Sequence, residues 1–315
     1  MKRVLVTGGA GFIGWHLVKA LLDRGDEVSI IDNFDPFYPE RLKRRGLAKE
    51  ARLFAIDIRD QQAMHEAFAQ ARPEVVVHLA ALAGVRPSLE RPAAYMDVNV
   101  RGTAILLEAA REAQTRRLVL GSSSSVYGAH ATAPFKETAR VDSPESPYAA
   151  SKVASEVLAR TFHNLYQIEV AALRFFTVYG PRQRPDLAIH KFSRRMLAGQ
   201  SLPFFGDGST RRDYTWVDDI IAGVLAACDV DLKWDILNLG GARTTSLAAL
   251  VAMLEEALGV KAILDRQPQQ PGDVPLTSAD VTHSREVLGY EPRTPIREGI
   301  RKFAEWIRFE GRDFI

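Results

Sequence analysis

Cysteine is almost absent from this chain, because Cys228 is the only one among 315 residues. A single cysteine excludes an intramolecular disulfide framework and a zinc site built from several cysteines. An excess of charge of one sign is also missing, since 41 Lys and Arg balance 39 Asp and Glu to a net charge of +2. Electrostatics therefore give no reason to expect a nucleic acid or a membrane surface as partner.

Long apolar runs are missing as well. A helix that crosses a bilayer needs roughly 18 or more apolar residues, and the longest candidate, around Val75 to Val85, is interrupted by His78. The N-terminal stretch before Gly8 is too short for the core of a signal peptide, and the scattered histidines lack metal-ligand spacing. With 46% hydrophobic residues, we expect a globular cytoplasmic protein that is not bound to a membrane and holds no metal.

The first half of the sequence alternates β-branched runs with amphipathic stretches. Such an alternation, with nearly continuous apolar strands, is typical of a parallel sheet covered by helices on both faces. The predicted strands are Arg3 to Thr7, Glu27 to Asp32, Leu53 to Ile58, Val75 to Leu79, Leu118 to Ser122 and Val170 to Phe176. The predicted helices include Ile13 to Arg24, Gln61 to Ala71 and Tyr148 to Tyr166.

After Gly180 the pattern changes to shorter segments separated by proline and glycine. We expect residues 1–180 to form a dinucleotide-binding domain and residues 181–315 to form mainly a smaller substrate-binding lobe. A segment near residues 215–240, which contains the apolar run Ile236 to Leu239, is predicted to return to the first domain.

Gly8, Gly11 and Gly14 follow the first predicted strand at a spacing of three and lead into a helix. Glycines at such positions allow a tight turn, a close approach to a pyrophosphate and close packing of helix on strand. Asp32 ends the second strand, where a carboxylate accepts both ribose hydroxyls of an adenosine and repels a 2'-phosphate. A glycine turn can also serve packing alone, but the combination predicts NAD, in preference to NADP.

Asp57 and Ile58 end the third predicted strand. At that position they would lie near the adenine ring of the dinucleotide. Asp57 or Asp60 could instead cap the helix that follows.

Tyr148 and Lys152 are i,i+4 neighbours on a predicted helix, so their side chains project from one face. An ammonium near a phenol favours the phenolate and lowers the phenol's pKa from about 10 toward that of a general base. The serine run Ser122 to Ser125 lies at the carboxyl end of the fifth strand, the edge at which open α/β sheets bind ligands. Both features are therefore predicted to lie near the nicotinamide.

These features together resemble the extended short-chain dehydrogenase/reductases, and within them the nucleotide-sugar 4-epimerases. The resemblance covers nearly the whole chain. It implies an α/β fold with a Rossmann-type doubly wound parallel sheet, tightly held NAD, and a smaller C-terminal α+β lobe that binds a nucleotide sugar. The motifs that carry it are Thr7-Gly8-Gly9-Ala10-Gly11-Phe12-Ile13-Gly14, Asp32-Asn33, Asp57-Ile58, His78-Leu79-Ala80-Ala81, Asn99, Ser122 to Gly128, Tyr148-Ala149-Ala150-Ser151-Lys152, Arg174-Phe175-Phe176-Thr177 and Arg211-Arg212-Asp213-Tyr214.

The resemblance also implies roles for single residues. Tyr148 would be the general base, Lys152 would hold the nicotinamide ribose and lower the pKa of the tyrosine, and Ser123 would relay the proton. The residues expected at the cofactor are Gly8, Gly11, Phe12, Ile13, Gly14, Asp32, Asn33, Asp57, Ile58, Leu79, Ala80, Ala81, Asn99, Tyr148, Lys152 and Phe175. Those expected at the substrate are Arg86, Ser123, Ser124, Ser125, Thr177, Arg184, Arg212 and Asp273.

The segment before Val126-Tyr127-Gly128 favours epimerisation. Related dehydratases and decarboxylases carry an acidic residue there, whereas this chain has Ser124 and Ser125. Without that carboxylate, proton removal at C5 or assisted loss of carbon dioxide has no obvious catalyst. The expected reaction is reversible oxidation to a 4-keto sugar and reduction from its other face.

Four further motifs resemble UDP-glucuronate 4-epimerases: Ala83-Gly84-Val85-Arg86, Phe175 to Gly180, Arg184-Pro185-Asp186 and Gln270-Pro271-Gly272-Asp273-Val274. Hydroxyls of Ser124, Ser125 and Thr177 could hold a C6 carboxylate, with charge from Arg86 or Arg184. Arg182 is a departure, because these enzymes often have Trp-Gly before the arginine. A UDP-glucose or promiscuous UDP-sugar epimerase, a net oxidoreductase and a non-catalytic NAD sensor remain alternatives. The resemblance also implies a homodimer through the helix that carries Tyr148.

Overall fold

The structure is a computed structural model and describes residues 1–129, 131–268 and 274–311. The strands are β1 (Arg3–Thr7), β2 (Glu27–Ile31), β3 (Arg52–Phe54), β4 (Val75–His78), β5 (Arg117–Ser123), β6 (Glu169–Phe175), β7 (Thr177–Tyr179), β8 (Leu202–Phe205), β9 (Arg211–Trp216), β10 (Trp234–Leu239), β11 (Thr244–Ser246) and β12 (Leu264–Gln267). The helices are α1 (Phe12–Asp23), α2 (Glu40–Arg44), α3 (Gln61–Ala71), α4 (Val85–Glu90), α5 (Pro92–Tyr95), α6 (Gly102–Glu112), α7 (Pro147–Tyr166), α8 (Ala188–Leu197), α9 (Val217–Asp229), α10 (Leu247–Leu258), α11 (Thr282–Leu288) and α12 (Ile296–Phe309). A π-helical segment, Met96–Arg101, precedes α6, and a 3-10 turn, Ser124–Tyr127, follows β5.

Seven strands form one parallel sheet in the order β10-β6-β5-β4-β1-β2-β3. Strand β1 lies between β2 and β4, so the chain order reverses at β1, and ligands bind at the carboxyl ends of strands beside such a point. The predicted α/β fold with a Rossmann-type doubly wound parallel sheet is confirmed.

Alternating side chains of the central strands enter two apolar layers. Val4 and Val6 of β1 belong to the layer on the side of α1 and α9, whereas Leu5 belongs to the layer on the side of α3 and α6. Because successive residues of a strand point to opposite faces, a strand buried on both sides must be apolar throughout. This requirement explains the run Val75-Val76-Val77 in β4, all of it buried.

The second half of the chain forms smaller sheets, in the orders β11-β9-β7 and β12-β8. Strand β10, however, pairs in parallel with β6 and extends the main sheet. The segment that contains Ile236 to Leu239 is thus part of the seven-stranded sheet. The division of the chain at residue 180 into two domains stays a prediction.

The third strand is shorter than predicted, since β3 ends at Phe54 rather than Ile58. It is an edge strand with β2 as its neighbour, and the backbone bond from Asp32 to Phe54 marks the end of that pairing. Asp57 lies in a turn closed by the backbone N–H of Asp60. Of the two candidate caps, Asp60 caps α3 by accepting the Ala63 N–H at 3.1 Å.

Among the helices of the described residues, none combines the length and apolarity that crossing a membrane requires.

Candidate active site

The glycine turn after β1 presses its backbone against the end of β4. Gly8 has φ +71°, and a Cβ on it would lie 2.8 Å from the amide nitrogen of Ala80. A Cβ on Gly14 would lie 2.1 Å from the carbonyl oxygen of Gly8, so a side chain fits at neither position. Gly11 precedes α1, and no side chain caps that helix. The amides of Phe12, Ile13 and Gly14 therefore begin an uncapped helix, which suits a pyrophosphate.

The Asp32 carboxylate lies directly against this turn. It accepts the backbone N–H of Ala10 at 3.0 Å and that of Phe34 at 2.8 Å. Only 8% of the residue is exposed, and this burial raises the pKa of the carboxyl. A backbone cradle, an uncapped helix and an acidic side chain thus lie together, and this combination fits the diphosphate and ribose of a dinucleotide.

Asn33 and Asp57 also lie together, joined by a bond from Asn33 Nδ2 to Asp57 Oδ2 of 2.8 Å. Hydrogen bonds from Arg59 lower the pKa of Asp57 to about 2. Ile58 is different, because its side chain is buried in the core layer against Gly102. A contact of Ile58 with an adenine ring stays a prediction.

The segment after β4 is held by Asn99. Its side-chain oxygen accepts the Leu82 N–H at 2.8 Å, and its amide group donates to the Leu82 carbonyl at 2.9 Å and to Ser151 Oγ at 2.9 Å. Asn99 therefore ties this segment to α7, and a direct contact with the cofactor stays a prediction. Leu79 and Phe175 both pack against Gly121 of β5, and Ala80, which precedes Ala81 in the segment after β4, lies against Gly8 of the glycine turn.

Tyr148, Lys152 and Ser123 meet at the carboxyl end of β5. The Tyr148 phenol is hydrogen bonded to Ser123, and Ser123 Oγ accepts the Ser125 hydroxyl at 3.0 Å and the Ser125 N–H at 3.2 Å. Lys152 is buried and donates to the Gly121 carbonyl at 2.8 Å. The helix α7 starts correctly for this arrangement because Ser146 caps it by accepting the Ala149 N–H.

The predicted effect of Lys152 on the pKa of Tyr148 stays a prediction, because Lys152 is not among the groups that shift this pKa in the chain by itself. Burial raises the pKa of the Tyr148 phenol, and the groups that oppose this rise are Ser123, through its hydrogen bond, and Arg184, through its charge. Burial also lowers the pKa of Lys152 to about 8. Sequence reasoning missed the effect of this guanidinium on the phenol, because Arg184 and Tyr148 lie on separate segments of the chain.

Arg184, one of the predicted substrate residues, lies near Tyr148. Arg184 pairs with Asp186 at 2.7 Å and donates to the Ala83 carbonyl at 3.3 Å, so two of the uronate-type motifs meet. Its guanidinium also stacks on the Phe37 ring at 4.8 Å. No signal in the sequence connected Phe37 with the site, because the two residues lie far apart along the chain.

The other predicted substrate residues lie on neighbouring elements. Thr177 begins β7 opposite Tyr214 of β9, and Arg212 lies two residues earlier on β9, on the same face as Tyr214. Arg86 is exposed on α4, 5.1 Å from the Phe205 ring. Ser124 opens the 3-10 turn after β5. Asp273 lies outside the described residues.

Asp213 is a further residue of this region that sequence reasoning left without a role. It is fully buried, and its carboxylate accepts the N–H groups of Gly241 at 2.6 Å and Ala279 at 3.0 Å. Asp213 thus fixes β9, and with it Arg212, to two later segments of the chain.

The family model "Epimerase: NAD dependent epimerase/dehydratase family" matches residues 4–240. The chain belongs to the NAD dependent epimerase/dehydratase family. The predictions of the family, of an NAD-dependent enzyme of the epimerase group, and of NAD as its cofactor are therefore confirmed. The chain is 39% identical to the UDP-glucuronate 4-epimerase of Thermodesulfobacterium geofontis, over 97% of this chain and 96% of that protein.

Two solved structures of this family are closely similar to the fold. One is the UDP-glucuronic acid 4-epimerase from Bacillus cereus in complex with UDP-glucuronic acid and NAD, with a TM-score of 0.90 and 34% identity over 97% of this chain and 98% of that one. The other is the UDP-glucose 4-epimerase of Thermotoga maritima with UDP-glucose, with a TM-score of 0.91 and 34% identity over the same shares of the two chains.

Proposed function

We propose that this protein is an NAD-dependent UDP-sugar 4-epimerase whose substrate is UDP-glucuronate, which it interconverts with UDP-galacturonate. The observation that carries the proposal is the hydrogen bond between Tyr148 and Ser123 at the carboxyl end of β5, beside the Arg184 guanidinium. A phenol and a serine in this position suit proton exchange with a sugar hydroxyl, and the guanidinium suits a carboxylate.

The reaction needs a group that takes a proton from the 4-hydroxyl and later returns one. The phenolate of Tyr148 accepts this proton as the sugar becomes a 4-keto sugar, and the Ser123 hydroxyl holds the sugar oxygen. The Ser125 hydroxyl donates to Ser123 at 3.0 Å, so Ser123 keeps its own proton to donate to the sugar oxygen or to Tyr148. NAD held at the glycine turn and Asp32 would supply a reversible hydride acceptor for C4 of the sugar, so the reaction would involve no net oxidation.

The carboxylate of the sugar is assigned to a second group of residues. Arg184 supplies charge, and hydroxyls of Ser124 and Thr177 supply hydrogen bonds, since both groups favour an ionised carboxylate. Ser125 contributes less than the sequence suggested, because its hydroxyl is already donated to Ser123. This loss of one donor favours UDP-glucose as the second candidate substrate.

We also propose that the protein acts in the cytoplasm as a homodimer that pairs through α7. The support is the exposure of large apolar side chains on that helix, with Val157 60% and Leu165 64% exposed in the single chain. Exposed apolar groups of this size on one helix suit a helix-to-helix interface. Sedimentation of the purified protein tests the dimer, and Val157→Glu should shift it to a monomer.

The test of the substrate is incubation of the purified protein, with no NAD added, with UDP-glucuronate and separately with UDP-glucose. Chromatography then resolves the epimers. Conversion of UDP-glucuronate alone supports the uronate proposal, conversion of UDP-glucose alone replaces it with the second candidate, and conversion of neither sugar overturns the epimerase proposal.

A further inference from the structure

A buried carboxylate on α7 lies outside every role described so far. Glu156 is 4% exposed and follows Lys152 by one helical turn. It accepts hydrogen bonds from Ser122 Oγ at 2.5 Å and from Arg174 Nε and Nη2 at 3.0 and 2.8 Å. Three elements, α7, β5 and β6, therefore meet at one carboxylate.

The partner guanidinium extends this network away from the helix. Arg174 is 2% exposed, stacks on the Tyr127 ring at 4.8 Å and donates to the Glu137 carbonyl at 3.3 Å. The Tyr127 hydroxyl in turn donates to Asn238 Oδ1 of β10 at 2.6 Å. A buried polar network whose members are hydrogen bonded has one low-energy arrangement, so it is rigid.

The position of the network relative to the reacting groups suggests its role. Tyr148, Lys152 and Glu156 occupy three successive turns of α7 and meet three successive residues of β5. Tyr148 is bonded to Ser123, Lys152 to Gly121 and Glu156 to Ser122. A shift of α7 along β5 would break all three contacts together.

The charge of Glu156 acts on Lys152, which lies one helical turn before it on α7. Burial lowers the pKa of Lys152, and the negative charge of Glu156 raises it. From β4, His78 faces Lys152 as a neutral ring, because burial and the lysine charge lower its pKa to about 3. On its other side Glu156 faces Arg174, which neutralises part of its charge.

We propose that Glu156 is a positioning residue for the epimerase reaction, which sets the Ser123 to Tyr148 contact through Ser122 and Arg174. The negative charge of Glu156 in addition favours the protonated form of Lys152. This inference rests on the function proposed above. It assigns the Glu156–Arg174 pair to the geometry of the active site rather than to stability alone.

The main test uses Glu156→Gln together with Arg174→Met, since removal of Glu156 alone leaves an uncompensated buried guanidinium and can prevent folding. With the negative charge gone, Lys152 loses its proton at lower pH. The alkaline limb of the kcat profile should then move to lower pH by about one unit. We also expect kcat to fall about 10-fold or more, with KM changed less than about threefold, because a misplaced general base costs rate rather than binding.

Ser122→Ala removes the link to β5 without a change of charge. It should lower kcat in the same direction and leave the alkaline limb in place. The matched control is Glu169→Gln together with Arg117→Met, which removes a buried ion pair between β5 and β6 at the other ends of these strands, Arg117 to Glu169 at 2.7 Å. This control should lower the stability and leave kcat and the pH profile as in the parent.

The titration of Lys152 in 13C-lysine NMR spectra supplies a readout that needs no turnover. A lower Lys152 pKa in the Glu156→Gln, Arg174→Met variant supports the proposal whether or not the parent is active. If the parent converts neither UDP-glucuronate nor UDP-glucose, that result overturns only the proposed function. Parental kcat and Lys152 titration in the Glu156→Gln, Arg174→Met variant would overturn the role of Glu156. An equal fall of kcat in the Glu169→Gln, Arg117→Met control would overturn it as well.

Discussion

The guanidinium of Arg184 opposes the effect of burial on the Tyr148 phenol. Burial raises the pKa of this phenol, and the positive charge of Arg184 lowers it. Arg184 is itself fixed by Asp186 at 2.7 Å and by the Phe37 ring at 4.8 Å. One side chain thus joins the residues predicted to bind the substrate to the residue predicted to take its proton.

This relationship predicts the pH dependence of Arg184→Gln. Loss of the positive charge raises the pKa of Tyr148, so the phenolate forms only at higher pH. The rising limb of kcat against pH should move to higher pH. The quantity to compare is kcat at saturating UDP-glucuronate, because saturation separates the titration of Tyr148 from any loss of affinity for the carboxylate.

Arg182→Gln is the control for that experiment. Arg182 stacks on the Trp15 ring at 4.5 Å and donates to the Leu42 carbonyl at 2.8 Å. Its removal should leave the rising limb where it is in the parent. An equal shift in both variants would show that net charge, not the Arg184 position, sets the pKa of Tyr148.

Tyr148→Phe should abolish the proton transfer. We expect a loss of about 10²- to 10⁴-fold in kcat, the range typical of a general base, with NAD still retained after purification. Tyr95→Phe is matched to it, because the Tyr95 ring lies edge-on to Tyr148 at 6.2 Å and its hydroxyl donates to the Ala83 carbonyl. This second variant should keep kcat within about threefold of the parent, and a comparable loss there would contradict the assignment of Tyr148.

Thr177→Ala tests how the uronate carboxylate is held. The 4-keto form of UDP-glucuronate is a β-keto acid, and it loses carbon dioxide most easily when the carboxylate stands perpendicular to the ketone. Loss of one hydroxyl donor should therefore raise the share of UDP-pentose among the products, measured by chromatography. Thr177→Ser keeps the hydroxyl and should restore the parental ratio, and an unchanged ratio in Thr177→Ala would refute the role.

Asp32→Ala tests the preference for NAD. The variant removes the carboxylate that would repel a 2'-phosphate, so the ratio of NADP to NAD affinity should rise about 10-fold or more in equilibrium binding. Asp35→Ala, in which an exposed carboxylate that accepts the Phe37 N–H is lost, should leave this ratio unchanged. If Asp32→Ala keeps the parental ratio, the discrimination lies elsewhere.

Gly14→Ala tests the close approach of α1 to the glycine turn. The added Cβ would lie 2.1 Å from the Gly8 carbonyl oxygen, whereas a Cβ on Gly11 would lie 3.2 Å from the same atom. Overpacking of this kind costs about 1–3 kcal/mol, so urea unfolding should give a clearly lower free energy of unfolding for Gly14→Ala than for Gly11→Ala. Equal stabilities would mean that the turn relaxes at no cost.

Local patterns in the sequence determined most of the helices and strands of this protein. The helix predicted from Tyr148 to Tyr166 is observed as Pro147–Tyr166, and that predicted from Gln61 to Ala71 has the same bounds in the structure. Helix and strand periods, glycine spacing and the i,i+4 pair depend on residues close together in the chain. For the same reason the sequence predicted the sheet, the turn after β1 and the NAD cofactor.

Tertiary structure alone decided which charges meet. Three contacts each join segments that lie apart in the chain. They are Arg184 near Tyr148, Lys152 on the Gly121 carbonyl, and Glu156 between Ser122 and Arg174. It also ended β3 at Phe54, because an edge strand pairs only as far as its single neighbour extends. A pKa depends on burial and on the charges that packing brings near, so the identity of Tyr148 and Lys152 predicted their chemistry but not the direction of the shift at Tyr148.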